Sequence, residues 1–450
     1  MNAVMFTRPE PQYSSAPVEV TAVPRRLSRV LCGICALLVF AILSFGAVEP
    51  WSITVLEVGS ALLFMVWAGR QFVSSEIRIR TSPLYLPAIL FGLAVILQLS
   101  LNLTTYRYAT LIASLEYVAY GIVLFLTIQS LLNAHCSKVV IWIFVLFGFA
   151  LATFALTQNL TSSGKIYWVR IPRTGGAVFG PYVNRDHYAG LMEMLCPLPI
   201  VLSLGELLRG TKRILVGFAG VVMAGSLMLS QSRAGAASFL VEMAFLIVLL
   251  LGGRRRTRAA ATIGAVCLTV IAFAAWFGSG ELWHRFSNLQ DWMRLAIFKD
   301  GLRMFWRKPI LGWGLGTFTT VYPQFRSFYT TLFVNAAHND YIQALVETGI
   351  VGFAAILWFL IVIYREGLRN LASWNRSWSR TLGLASLIGC TGILVHSAVD
   401  FNLQIPANAC VFYFLAAVTT STASLLEPSP RRRSRRRGSS VAHENLASHR

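Results

Sequence analysis

The apolar residues of this chain arrive in blocks of about 17 to 24, each long enough as a helix to cross roughly 30 Å of hydrocarbon. No other feature limits the fold as strongly. In lipid every backbone polar group must be satisfied internally, which leaves closed helix bundles and closed barrels. The blocks are continuous rather than alternating every second residue, so they read as helices. Composition agrees: of 450 residues, 56% are apolar and 13% charged, where a soluble chain carries roughly a quarter charged. An all-α integral membrane protein is expected.

Read in order, the blocks give about twelve spans, near 31–47, 52–69, 84–103, 108–132, 139–157, 187–205, 214–230, 236–252, 259–278, 341–364, 381–399 and 406–426. Residues 1–30 form a polar tail that is long for a cleaved signal, so the first span reads as an uncleaved anchor. Lys and Arg set the orientation. With the N-terminus inside, the inside segments hold 26 of the 39 basic residues, including "RRRTR" (Arg254–Arg258) and the tail 427–450 with "RRRSRRR". Both termini then lie inside, as an even number of spans requires.

The basic residues left outside are informative, because positive charge on the translocated side opposes the insertion bias. Apart from Arg107 they fall in three segments. One holds Lys165, Arg170, Arg173 and Arg185; a very short one holds Arg233; the third runs from Arg285 to Arg326. An anionic ligand at the outer membrane face would partner them. Nucleic acid is a poor candidate despite a net charge of +20, since basic loops are the ordinary device that keeps a segment inside. The cysteines lie almost all inside apolar spans. "CGIC" at Cys32–Cys35 has redox spacing without the βαβ setting, so neither a thiol nor a metal role is expected.

Residues 279–340 form the only sizeable extramembrane segment. From Asp291 to Trp306 the residues Leu295, Phe298, Leu302 and Phe305 recur at helical spacing, with Arg294, Lys299, Arg303 and Arg307 around them. That pattern predicts an amphipathic helix lying along the membrane surface. Pro309 stops it, and "GWGLGTF" (Gly312–Phe318) follows. Its glycines permit tight backbone next to other elements, and with no strand before it the stretch is not a phosphate loop.

Two spans open on similar polar doorways. Asn184, Arg185, Asp186 and His187 precede one, and His338, Asn339 and Asp340 precede another. Asn and Asp there are natural N-caps. A histidine at a helix N-terminus is disfavoured from protonating by the macrodipole, which leaves it able to accept a proton. His338 is the stronger candidate and His187 the weaker; His284 and His396 read as structural. Arg233, in "SQSRAGAASF", sits near membrane depth, where a charge is expensive and usually functional, and its fork suits a phosphate. Asp400 or a lipid headgroup would be its ordinary alternative partner.

Together these residues resemble the O-antigen ligase and polymerase superfamily. "SRAG" around Arg233, "DGLRMFWRKPILGWGLGTF" (Asp300–Phe318) and "AHNDYIQALVETGIVG" (Ala337–Gly352) carry the likeness, which covers roughly residues 170–400; "NRDHYAG" (Asn184–Gly190) looks like an element of polysaccharide-polymerase members. The resemblance implies a GT-C-like glycosyltransferase with its active site on the periplasmic side of the bacterial inner membrane. It would move a glycan from a polyprenyl diphosphate carrier to an acceptor hydroxyl, either on another carrier-linked glycan or on lipid A–core. No metal and no cofactor are implied. In that chemistry His338 would be the general base, Arg233 with Arg185 and Arg303 would clamp the diphosphate, and Asn339, Asp340, Asn184 and His187 would support them. "NRDHYAG" tips the balance toward a polymerase-like role over a ligase. A flippase is the main rival from another class and a non-catalytic scaffold a lesser one, but the internal symmetry common in transporters is not visible. The sequence leaves the sugar, the acceptor, the oligomeric state and the role of the arginine tail open.

Overall fold

The computed structural model describes residues 28–74, 77, 79–172, 177–252, 264, 290–331, 333–369 and 376–421. Among them the protein is helical, with two isolated bridges, Ile166 to Arg170 and Phe179 to Tyr182, and no strand. The principal helices are α1 (Arg29–Leu43), α2 (Pro50–Val73), α3 (Tyr85–Ser100), α4 (Arg107–Ser130), α5 (Ala134–Thr161), α6 (Arg185–Leu195), α7 (Pro197–Leu204), α8 (Gly210–Leu229), α9 (Arg233–Gly252), α10 (Gln290–Arg307), α11 (Phe318–Val321), α12 (Asp340–Arg369), α13 (Trp378–His396) and α14 (Pro406–Thr420). Eight of the described helices, α6 and α7 taken as one, are long and apolar enough to cross a membrane, and α1, α3 and α14 are shorter apolar helices. The chain is a multi-pass membrane protein. The expected ninth span near 259–278 apart from Gly264, residues 1–27 and 422–450 of the tails, Arg173, His284 and Arg285 lie outside the described residues.

Helices α13 and α14 form the centre and are buried along most of their length, packed on α4, α6 and α9. The outer helices leave apolar side chains uncovered: Leu62 and Met65 on α2, Ile89 and Ile96 on α3, Ile214 and Phe218 on α8. In a bilayer these faces meet lipid, which is as apolar as they are.

Two breaks shape the end of the bundle that carries the polar doorways. The sixth expected span divides at Cys196, because Pro197 lacks the N–H that would continue the ladder. Helix α12 kinks at Gly349, where φ is 61° and a Cβ would lie 2.3 Å from the Ile310 carbonyl oxygen. The kink frees carbonyls that must find partners. The "GWGLGTF" stretch supplies them: the Trp313 N–H donates to Val346 O (3.0 Å) and the Gly314 N–H to Glu347 O (3.0 Å). The Glu347 carboxylate in turn accepts from the N–H groups of Gly316 and Phe318 at 2.9 and 3.2 Å. Those glycines are therefore a docking strip for α12.

Helix α10 forms where the sequence predicts, but its buried face differs. Ile297, Asp300, Gly301 and Met304 face inward on α12, while Leu295 is exposed and Phe298, Leu302 and Phe305 are half-buried. Asp300 turns the helix: its carboxylate accepts from Tyr322 Oη, the Ser327 N–H and Ser327 Oγ, so a charged side chain sits inside with its bonds made. The helix thus packs against the bundle rather than only along its surface.

Candidate functional site

Three helices begin at the same end of the bundle, each behind a side-chain cap. Asn184 Oδ1 accepts from the Asp186 N–H (2.9 Å) at the start of α6. Ser232 Oγ accepts from the Gly235 N–H (3.0 Å) at the start of α9. Asn339 Oδ1 accepts from the Ile342 N–H (3.0 Å) at the start of α12. Short polar side chains that accept from free N–H groups are what starts a helix here. The first residues of α6 and α9 are Arg185 and Arg233.

The first turn of α6 joins the other two. Arg185 Nη1 donates to Gln231 Oε1 (3.4 Å) in the turn before α9. A Cβ on Gly235 would meet Ala189 Cβ at 2.6 Å, so only glycine allows α9 so near α6. On the other side, the rings of His187 and His338 each meet Phe401 edge-to-face with centroids 4.9 Å apart. His187 and His338 thus both meet Phe401, and Arg185 meets the α8–α9 turn from which Arg233 opens α9, so the positive end of the α6 dipole links the other two helix starts. Such a place favours an anion.

His338 has φ of 50°, in the left-handed region. Non-glycine residues pay about 1–3 kcal/mol for a rare backbone state, and it persists only where the surroundings fix it. Here they do. Asn339 Nδ2 donates to Ala398 O (2.7 Å), the Asp340 N–H donates to Ser397 O (2.9 Å), and Asp340 accepts from the Leu403 N–H (3.0 Å) and Gln404 Nε2 (3.3 Å). Asp340 thus ties the doorway to the 397–404 connection, while Asn339 both caps and ties.

The same connection brings up Asp400. Its Oδ1 lies 3.4 Å from Nδ1 of His338 and also accepts from the Phe401 N–H (2.9 Å). Burial pushes the Asp400 carboxyl up, but the bond to His338 and the charges of His187, His396 and Arg294 outweigh it, leaving it well below the usual carboxylate range. An ionised Asp400 accepts the Nδ1 hydrogen of His338 and leaves Nε2 with its lone pair. His338 keeps about a quarter of its side chain exposed, while Asp400 is buried.

Arg303 lies elsewhere on α10, bonded to Asp300 Oδ1 at 3.1 Å and largely exposed. The α10 arginine that reaches the 397–404 connection is Arg294, whose Nη1 donates to Val399 O (3.1 Å). Sequence reasoning noted Asp400 only as an alternative partner for Arg233 and Arg294 only as part of the helix. The signal for Asp400 was its place, an acidic residue four after His396 in a short connection between two spans. His187 is buried, and its Nε2 has no hydrogen-bond partner among the protein groups described.

Beside this doorway lies a cavity of about 360 Å³ between α3, α4, α12 and α14. Phe91, Tyr117, Phe353 and Phe359 line it, and it reaches Asp340 and Gln404. No group of three or more His, Cys, Asp or Glu that could hold a metal ion is present among the described residues.

Comparison with curated proteins finds no match. Residues 218–357, which contain Arg233, the "GWGLGTF" strip and the His338 doorway, match the family model described as O-antigen ligase, and this match supports membership of the chain in the O-antigen ligase family.

Proposed function

We propose that the protein is a membrane glycosyltransferase that moves a glycan from a polyprenyl diphosphate carrier to an acceptor hydroxyl. The observation that carries this reading is the pairing of His338 with Asp400, with Arg294 bonded to the same 397–404 connection and Phe401 linking His338 to the start of α6, where Arg185 meets the turn that leads into Arg233.

In this reading the acceptor oxygen attacks the anomeric carbon while its proton passes to Nε2 of His338. The bond between that carbon and the diphosphate oxygen breaks, and its electron pair stays on the diphosphate. A positioned base helps a poor nucleophile, and fixed donors aimed at the growing charge help the leaving group. Arg233 and Arg185 meet the diphosphate, with Arg294 supporting from α10, while Arg303 stays committed to Asp300. One displacement inverts the anomeric centre. Asn339, Asp340 and Asn184 hold the helix starts, and His187 packs the far side of Phe401. The apolar cavity beside Asp340 suits the first isoprene units of the carrier, a placement that would leave the diphosphate at the doorway. The fold is read as GT-C-like, with the site facing the periplasm, both termini in the cytoplasm and the chain in a bacterial inner membrane.

Two acceptors remain in view, each favoured by one observation. "NRDHYAG" at the start of α6 favours a second carrier-linked glycan and a polymerase-like role. The description of the matched family favours lipid A–core and a ligase role. Reconstitution with a polyprenyl-diphosphate glycan and each acceptor in turn tests both. Transfer without nucleotide or ion gradient is the expected result; translocation of the carrier without transfer would make the protein a flippase instead.

A further inference from the structure

Behind His338 the bundle holds a second imidazole between carboxylates, which the proposed reaction does not use. His396, in the last turn of α13, is fully buried, and its Nδ1 lies 2.9 Å from Oε1 of Glu193 on α6. Its Nε2 lies 3.9 Å from Oδ2 of Asp400, whose other oxygen faces His338. The side chains therefore alternate from the doorway inward: His338, Asp400, His396, Glu193. Ionisable groups inside a membrane bundle are costly, pair with one another and mark function.

A neutral imidazole carries one N–H; only the imidazolium carries two. Nδ1 of His396 is hydrogen-bonded to Glu193, while Nε2, at 3.9 Å, makes no hydrogen bond to Asp400 but faces its carboxylate; two carboxylates about one imidazole favour its charged form electrostatically. Other charged or titratable groups face this chain from the packed helices: Asp186 and His187 on α6, Asp340 on α12 and Arg294 on α10. Glu242 on α9 lies beside Glu193. A Cβ on Gly392 would lie 2.5 Å from Glu242 Oε2 and 3.1 Å from Glu193 Cβ, so glycine at 392 lets the two acids share one face of α13.

We propose that His396, held by Glu193, is a positioning residue for His338: its imidazolium faces the buried side of Asp400, offsets part of that carboxylate's charge, and thereby sets the pH at which His338 takes up a proton. The consequence for catalysis rests on the glycosyl-transfer reading, but the coupling itself does not. With the buried cation in place, a proton arriving on the His338–Asp400 pair adds positive charge beside positive charge. Without it the pair binds that proton more readily, and His338 stops being a base at a higher pH.

The test uses the purified full-length chain in phospholipid nanodiscs. Diethyl pyrocarbonate modifies neutral imidazole, and His338 is partly exposed, so its modification can be followed by peptide mass spectrometry as pH is varied. His396→Gln is expected to raise the midpoint for His338 by about one pH unit, the scale of losing one nearby charge. Glu193→Gln, which accepts the Nδ1 hydrogen but supplies no charge to hold the imidazolium, is expected to move it the same way and is decisive if His396→Gln does not fold. The acidic limb of the transfer rate should move with the midpoint. A folded variant with the wild-type midpoint overturns the proposal, as does a rate lowered equally at every pH. If the wild type itself transfers no glycan, the glycosyl-transfer reading fails while the midpoints still decide the coupling.

Discussion

Nδ1 of His338 lies 3.4 Å from Oδ1 of Asp400, although the two residues are 62 positions apart and belong to different connections between helices. The link runs through Ser397, Ala398 and Leu403, which the Asn339 and Asp340 groups hold by four hydrogen bonds together with Gln404. Asp400→Asn should therefore leave the fold in place and misdirect the imidazole. The amide can donate to Nδ1, which moves the ring hydrogen to Nε2 and removes the base. Transfer should fall on the order of 100-fold or more, measured as initial rates with carrier-linked donor and acceptor.

The same carboxyl predicts a pH dependence of stability. Its folded-state pKa lies below the unfolded value of about 3.9. A depressed carboxyl contributes stability that is fully present above the unfolded pKa and is lost as pH falls through the folded one. Below about pH 4, where the carboxyl takes up its proton, the wild type should lose the advantage in thermal unfolding temperature that this charge gives it over Asp400→Asn at neutral pH.

Asn339→Ala removes both the cap on Ile342 and the tie to Ala398. Loss of a cap alone costs about 1 kcal/mol. Because the tie also fixes the left-handed turn at His338, the rate of transfer should drop by clearly more than that loss of stability implies. Parallel melting curves and initial rates check the difference.

Arg233→Lys keeps a positive charge at the start of α9 but loses the planar fork. If Arg233 meets the leaving diphosphate, the maximal rate should fall about tenfold or more, with a smaller change in apparent affinity for the carrier. A variant equal to wild type in rate would remove Arg233 from the clamp.

Gly349→Ala places a methyl group 2.3 Å from Ile310 O at a φ of 61°. The backbone strain is on the order of 1–3 kcal/mol, and the docking of Pro309–Gly314 on α12 should loosen with it. A lower unfolding temperature in detergent, with transfer reduced through the displaced His338 helix, is the expected outcome.

The sequence made the helical membrane character legible because apolar blocks of spanning length admit few alternatives in lipid. It also placed the helix starts at Asn184 and Asn339, since caps are local and depend on a few adjacent residues. What it missed depends on contacts between distant segments. The inward face of α10 is set by Asp300 meeting Tyr322 and Ser327, which no periodicity of apolar residues reports. Asp400 reaches His338 through a connection whose path is decided by tertiary hydrogen bonds. His396 looked structural because a lone histidine in an apolar span usually is, and only packing shows Glu193 and Asp400 on its two sides.

The most direct measurement concerns His338 itself. The full-length chain and His338→Gln, both shown to fold and insert in the same vesicles, are given a polyprenyl-diphosphate glycan and an acceptor glycolipid, and product is counted over time. We expect the wild type to form product and His338→Gln to lose on the order of 100-fold or more in rate, the upper part of what a positioned base supplies. A folded His338→Gln protein that transfers glycan at the wild-type rate would contradict the account.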